Sequence, residues 1–306
     1  MRIIPGEVKT GLLHSYLLGA IAPRPICFAS TIDAEGRPNL SPFSFFNVFG
    51  SKPPMLIFSP ARRVRDNSIK HTLENAYVTK EVVINVVNHA IVQQMSLASC
   101  EYPAGTDEFA KAGFTPLKSD LVKPMRVAES PVQLECRVNQ IIETGTEGGA
   151  GNLILCEVLC MHINDGVLAD DGTIDPHKID LVARMGGDYY CRASGAAVFT
   201  VPKPNMSLGI GVDALPAPIR NSRVLTGNHL GMLGNSAAIP VIDEPFYDDR
   251  LGSILREWEG DPTGKQQALH LYAAELLDRG DVAHAWGVLL ADEGAGKEPD
   301  EKVYEG

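Results

Sequence analysis

Five stretches dense in β-branched and apolar residues, at 25–32, 54–58, 81–87, 132–142 and 152–163, are separated by Gly, Pro, Asp or Asn. Such side chains pack well on a pleated surface, and the punctuating residues turn the chain between runs. The pattern predicts a mainly β domain of antiparallel strands closing into a barrel. Between the runs, Ile69, Leu73 and Ala76 in 68–77, and Ile91, Val92, Met95 and Ala98 in 89–98, fall at helical spacing. The barrel is therefore expected to carry added helices.

The character of the chain changes after residue 204. Residues 1–204 hold 19 Lys+Arg against 21 Asp+Glu, whereas 205–306 hold 8 against 17. The join VPKPN, Val201 to Asn205, places two prolines in a polar stretch, which suits a chain leaving one compact unit. We therefore expect domains at 1–204 and 205–306, the second an acidic, mostly helical extension. Its helices are predicted near 248–258, 264–278 and 281–291, with Ala268, Leu269, Tyr272, Leu276 and Leu277 forming a stripe that must be buried against the barrel or a second subunit. The closing residues 292–306 are polar and acidic and are expected to fray.

Several function classes are disfavoured at once. A net charge of −11 repels phosphate backbones, which argues against a nucleic-acid partner. No run of about 18 or more apolar residues is present to cross a bilayer, and MRIIPGEVKTG lacks the pattern of a secretory leader, so a cytoplasmic protein without membrane contact is expected. The six cysteines lie mostly in apolar stretches and read as reduced, buried thiols. No HExxH, GxSxG or GxxxxGK[ST] motif occurs, and GIGVDAL from Gly209 has only two of the three glycines of a dinucleotide fingerprint. Cys156, Cys160 and His162 share a strand face, but two cysteines four residues apart are separated by roughly 13 Å, too far to share one zinc ion. No metal is assigned.

Two neighbouring constellations point toward a ligand. In NLSPFSFFN and the residues after it, Ser41, Ser44 and Asn47 are interleaved with Phe43, Phe45, Phe46 and Phe49. This is either a Phe-rich core strand ending in a polar turn or a surface for a flat heteroaromatic ring, with apolar faces and edge hydrogen bonds. Next, ARRVRDNSIKHTLEN gathers Arg62, Arg63, Arg65 and Lys70 before and at the start of a predicted helix, with Ser68 and Thr72 nearby. Arginine forks and the free N–H groups of a first helical turn favour phosphate, while a solvated basic loop is the alternative. Together the pair would suit flavin mononucleotide, with its ring at one constellation and its phosphate at the other.

Taken in order, RPICFAST (24–31), NLSPFSFFN (39–47), PPMLIFSP (53–60), SIKHTLEN (68–75), EVVINVV (81–87) and RMGGDYY (184–190) resemble the flavin reductase-like proteins of the FMN-binding split barrel, which include flavoredoxins and reductase components of two-component monooxygenases. The resemblance covers roughly residues 10–203. It implies a six-stranded antiparallel split barrel that forms a homodimer and binds FMN. By the same resemblance, Ser30, Thr31, Ser44, Phe46 and Asn47 would contact the isoalloxazine and ribityl parts, and Arg62, Arg65, Lys70 and Thr72 would hold the phosphate. Arg184 and Tyr189 either approach the flavin or serve the structure. Where the family often has KDT, this chain has Lys70, His71 and Thr72, so an Asp able to cap the helix is missing. The implied activity is reduction of flavin, a small acceptor or an oxygenase partner through bound FMN at the expense of NADH or NADPH; the alternative is a flavoredoxin-like electron carrier with no nicotinamide-dependent activity of its own.

Overall fold

The computed structural model describes residues 1–202, 208–241 and 246–291. Residues 203–205 of the predicted join at 201–205, and the closing stretch 292–306, lie outside the described residues. The chain divides into two compact units, Met1–Phe199 and Thr200–Gly306.

In the first unit, helix α1 (Thr10–Ala20) buries none of its residues. Strands β1 (Cys27–Ile32), β2 (Pro38–Phe43), β3 (Phe46–Ser51) and β4 (Pro54–Phe58) follow, then α2 (His71–Thr79), β5 (Glu81–Val86), α3 (Val92–Leu97) and α4 (Glu108–Ala112). After the short strands β6 (Pro116–Leu117) and β7 (Arg126–Val127) come the long β8 (Val132–Glu143) and β9 (Asn152–Ile163), then β10 (Val182–Arg184) and β11 (Tyr190–Arg192).

Seven of these strands form one antiparallel sheet in the order β2-β1-β5-β8-β9-β4-β3. The two end strands are consecutive in sequence: β2 stops at Phe43 and β3 starts at Phe46. Three Cα–Cα steps reach at most about 11 Å, so the sheet curls until its two ends approach each other. The barrel closes through the chain and not through a ladder of hydrogen bonds. The strand count is seven where six were expected, because the run 39–47 is interrupted at Ser44 and Phe45 and serves both ends of the sheet.

Alternation along β1 explains why that strand is buried throughout. Cys27 and Ala29 join the barrel core with Phe43, Phe58, Ile84, Ile154 and Cys156, whereas Phe28 joins a second core with Leu40, Met95, Phe109 and Phe114. Leu73 and Ala76 of α2 enter the barrel core, and α2 makes contacts with both β1 and β2. This fixes the helix start beside the β1–β2 hairpin.

The second unit contains α5 (Ala217–Arg220), α6 (Gly227–Gly234), α7 (Asp249–Glu257), α8 (Pro262–Asp278) and α9 (Val282–Leu289). Part of its acidity has a local purpose. Asp248, Asp261 and Asp281 accept N–H bonds at the starts of α7, α8 and α9, satisfying donors that a helix leaves unpaired. The stripe on α8 is not spare: Leu269, Tyr272, Leu276 and Leu277 are buried with Leu233, Leu251 and Trp286 in this unit's own core. The expectation that it needs the barrel or another subunit is corrected, because α6, α7 and α9 supply the covering surface. Among the described residues, no helix is long and apolar enough to cross a membrane.

Candidate functional site

The segment leaving β4 is pinned where it departs. The Asn152 N–H donates to Ser59 Oγ at 3.0 Å and Asn152 Nδ2 to the Pro60 carbonyl at 2.7 Å. Beyond this anchor the chain makes a tight loop, with Asn67 in the left-handed region at φ 58°, a conformation Asn tolerates better than most residues. Asp66 accepts from the Ser68 N–H and hydroxyl, and these bonds lower its carboxyl to about 2. The loop delivers the chain to Lys70 and the first turn of α2.

At that turn two features converge. Lys70 takes the N-cap position without a side-chain cap bond, and the backbone N–H groups of His71 and Thr72 make no hydrogen bond among the described residues. The Lys70 ammonium lies 5.2 Å from the centroid of the Phe43 ring and has no hydrogen-bond acceptor among the described residues. Burial lowers its pKa, and the nearby Arg63 charge lowers it further. A desolvated cation beside unpaired helix N–H groups favours an anion.

Arg63 completes this corner. Its Nη1 donates to Ser68 Oγ and to the Ile69 carbonyl, both at 2.9 Å, and its Nε donates to Glu101 at 3.0 Å. Arg63, Lys70 and Thr72 line a small cleft with Ser41, His71 and Ser99. Glu101 also receives Arg65 Nη2 at 3.0 Å, and the two arginines hold its carboxyl below the usual range. Arg65 itself is 70% exposed. Arg62 turns to the loop, donating to Asn67 Oδ1 at 2.7 Å and to the Asn67 carbonyl at 3.1 Å.

The hydroxyls beneath the cleft are tied together. Asn39 Nδ2 donates to Thr72 Oγ1 at 2.9 Å and to Thr31 Oγ1 at 3.3 Å, and Asn75 Nδ2 donates to Thr31 Oγ1 at 3.1 Å. Thr31 and Thr72 thus support the cleft floor from within. Ser30 Oγ is buried and has no partner among the described residues. Phe46 packs against the barrel core, Ser44 receives Arg24 Nε at 3.5 Å, and Asn47 is exposed, with Oδ1 accepting the Val48 N–H at 2.8 Å.

Arg184 is held by its own turn, donating to Tyr190 Oη and to the Gly187 carbonyl, both at 2.7 Å. Tyr189 is 77% exposed. The structure thus gathers Lys70 and Thr72 in one cleft with Arg63, and the residues lining that cleft do not include Arg62, Arg65, Asn47 or Tyr189. Sequence reasoning counted Arg63 in the basic cluster but left it out of the phosphate set, and it passed over Arg24. The buried Arg24 ties Leu18, Ile21 and Met185 carbonyls to the start of the barrel. In a run of four cations, nothing local says which one folds inward.

Comparison with known proteins shows the family of the fold. An uncharacterized protein from Aquifex aeolicus (strain VF5) is 35% identical over 195 residues, covering 64% of this chain and 97% of the relative. Among solved structures, nitrilotriacetate monooxygenase component B from Bacillus cereus superposes with a TM-score of 0.61 at 25% identity, covering 66% of this chain and 98% of that one. A protein from Shewanella frigidimarina NCIMB 400, assigned as a flavin reductase with a split barrel domain, gives a TM-score of 0.56 at 25% identity, covering 65% and 95%. With the model of the flavin reductase like domain matching residues 19–176, the chain belongs to the flavin reductase-like family.

Proposed function

We propose that this flavin reductase-like protein is an FMN-dependent oxidoreductase that takes hydride from NADH or NADPH and passes electrons to free flavin, a small acceptor or an oxygenase partner. The carrying observation is the Lys70 ammonium, largely desolvated and without a hydrogen-bond acceptor among the described residues, at the uncapped start of α2. That corner fits the phosphate of FMN: Lys70 and Arg63 supply charge, and the His71 and Thr72 N–H groups supply oriented donors. The monooxygenase component among the similar structures supports an oxygenase as one acceptor.

FMN, when bound, supplies the hydride-accepting chemistry itself. The work of the chain is placement. Lys70 and Arg63 would anchor the anionic end, the Asn39–Thr31–Thr72 network keeps α2 in register with the β1–β2 hairpin, and Phe46 and Ser44, at the break between β2 and β3, would meet the ring. No side chain needs to move a proton for hydride transfer to the flavin.

The protein is proposed to work as a cytoplasmic homodimer. Val48 and Phe49 on β3 are 63% and 64% exposed, Phe45 is 40% exposed, and Leu17 and Ile21 at the end of α1 are 53% and 65% exposed. A second copy of the chain would cover these groups and bring Asn47 to the ring site. Anaerobic addition of NADH to the FMN-loaded protein tests the reading. Rapid loss of the oxidised flavin spectrum is expected; bleaching by dithionite alone would assign the protein as a flavoredoxin-like carrier.

A further inference from the structure

At the far end of β9 from the flavin cleft, four side chains with metal-ligating chemistry converge. Cys160 and His162 are two residues apart on that strand and so share a face. Glu135, on the adjacent β8, is the register partner of Cys160, and the segment between β6 and β7 adds Asp120. One ligand atom from each of the four lies within 4.8 Å of the others. His162 Nε2 is 3.6 Å from Cys160 Sγ, 2.7 Å from Glu135 Oε1 and 3.9 Å from Asp120 Oδ2.

These separations are close to those of a tetrahedral zinc site. Bonds of about 2.3 Å to sulfur and about 2.0–2.2 Å to nitrogen and oxygen put neighbouring ligand atoms about 3.3–3.6 Å apart. The sulfur–nitrogen distance already matches, while the two carboxylate distances need to change by only about half an ångström each. Charge also balances. With Cys160 as thiolate, three anionic donors meet a divalent ion and Arg126, whose Nε lies 3.9 Å from Glu135 Oε1.

The frame is set in advance. Glu135 is fully buried, and its carboxylate accepts the N–H groups of Asp120 at 2.8 Å, Leu121 at 2.6 Å and Val122 at 3.2 Å. A simple staple between β8 and this loop would need only Glu135 and those amides. It does not account for a thiol and a second carboxylate gathered at the same imidazole nitrogen.

The geometry points to a structural site for a borderline divalent cation of the Zn²⁺ class, held by Asp120, Glu135, Cys160 and His162. Mixed sulfur, nitrogen and oxygen donors suit Zn²⁺ better than Mg²⁺ or Ca²⁺, which prefer oxygen shells. Four protein donors leave no open position, the mark of a structural centre. The ion sits apart from the flavin corner: Asn152, at the start of β9, bonds to Ser59 and Pro60, and Cys160 lies eight residues along, roughly 26 Å away in an extended strand. Its role is to tie the 120–122 segment to the β8–β9 hairpin.

The test uses the full-length, FMN-loaded protein, stripped with chelator and then exposed to Zn²⁺ or Co²⁺ alone. Metal analysis after desalting is expected to find one Zn²⁺ per chain, and Co²⁺ should give a thiolate charge-transfer band with intense tetrahedral bands in the visible. Zn²⁺ should raise the melting temperature of the wild type. Cys160→Ser, at a half-buried position, and Asp120→Asn, at an exposed one, should melt like the wild type when metal-free, gain no such rise, and in the cysteine variant lose the charge-transfer band. Failure of the wild type to retain metal, or a Co²⁺ spectrum unchanged in Cys160→Ser, would overturn the proposal.

Discussion

The Lys70 ammonium stands 5.2 Å from the centre of the Phe43 ring, at the meeting point of the helix that begins α2 and the strand that ends one side of the barrel. A cation over a ring face is stabilised by the quadrupole of the ring. Among the described residues the ammonium meets no hydrogen-bond acceptor, a demand that the phosphate of the proposed cofactor would satisfy.

Removing either inward-facing cation should weaken FMN binding. Lys70→Ala or Arg63→Ala is expected to cost about 1.5–3 kcal/mol, the range for hydrogen bonds to charged groups. Arg65→Ala, at a mostly exposed side chain, should weaken binding far less. Fluorescence titration of the apoprotein with FMN separates the three; equal losses in all of them would move the phosphate out of the Lys70 corner.

The pH dependence follows from the direction of the Lys70 shift. Burial, with Arg63 adding to it, lowers the pKa of the free protein from the ordinary lysine value, so Lys70 loses its proton earlier than a solvated lysine as pH rises. A phosphate beside it restores the charged form. FMN affinity should therefore be highest below the lowered pKa and fall through it, with proton uptake on binding in that alkaline window. Calorimetry in buffers of different ionisation enthalpy measures the uptake, and Lys70→Ala should abolish it.

The buried amide network predicts a stability effect without chemistry. Thr72→Val removes the acceptor of Asn39 Nδ2 while keeping the shape of the side chain. Leaving that buried donor short of a partner is expected to destabilise the first unit by about 1–3 kcal/mol. Urea unfolding followed by a probe in the barrel would register the shift in midpoint.

Thiol reactivity should divide by burial. Cys27, Cys136 and Cys156 are buried in the barrel core, and burial raises each thiol pKa, with neighbouring groups adding to it. Cys100 is exposed, contrary to the expectation of buried thiols throughout. Iodoacetamide at neutral pH should label Cys100 in the native protein and leave those three untouched until it unfolds, as mass spectrometry of the peptides would show.

Much of the architecture is local and therefore readable. The runs at 54–58 and 152–163 coincide with β4 and β9, and the helical stripe at 264–278 lies within α8. In each, the period of the apolar residues is set by backbone geometry over a few residues. The flavin-family reading was legible in outline, because its motifs follow one another in order along the first 190 residues. The choice of Arg63 over Arg62 and Arg65 was not, since it depends on Glu101 and the Ile69 carbonyl receiving that side chain.

Two further features were closed to any local pattern. The strand count turned on a break at Ser44 and Phe45 that sends one motif to both ends of a curled sheet, a consequence of closure and not of propensity. Cys160 and His162 gained Glu135 only through the register of β8 against β9, shifted by a bulge between Glu135 and Cys136, and Asp120 only because its segment bonds to the Glu135 carboxylate. The sequence by itself determined which segments pleat, which coil and where polar chemistry is stocked, because those depend on neighbours a few bonds away. The tertiary structure alone decided which side chains meet, because register and barrel closure are set by contacts between residues far apart in the chain.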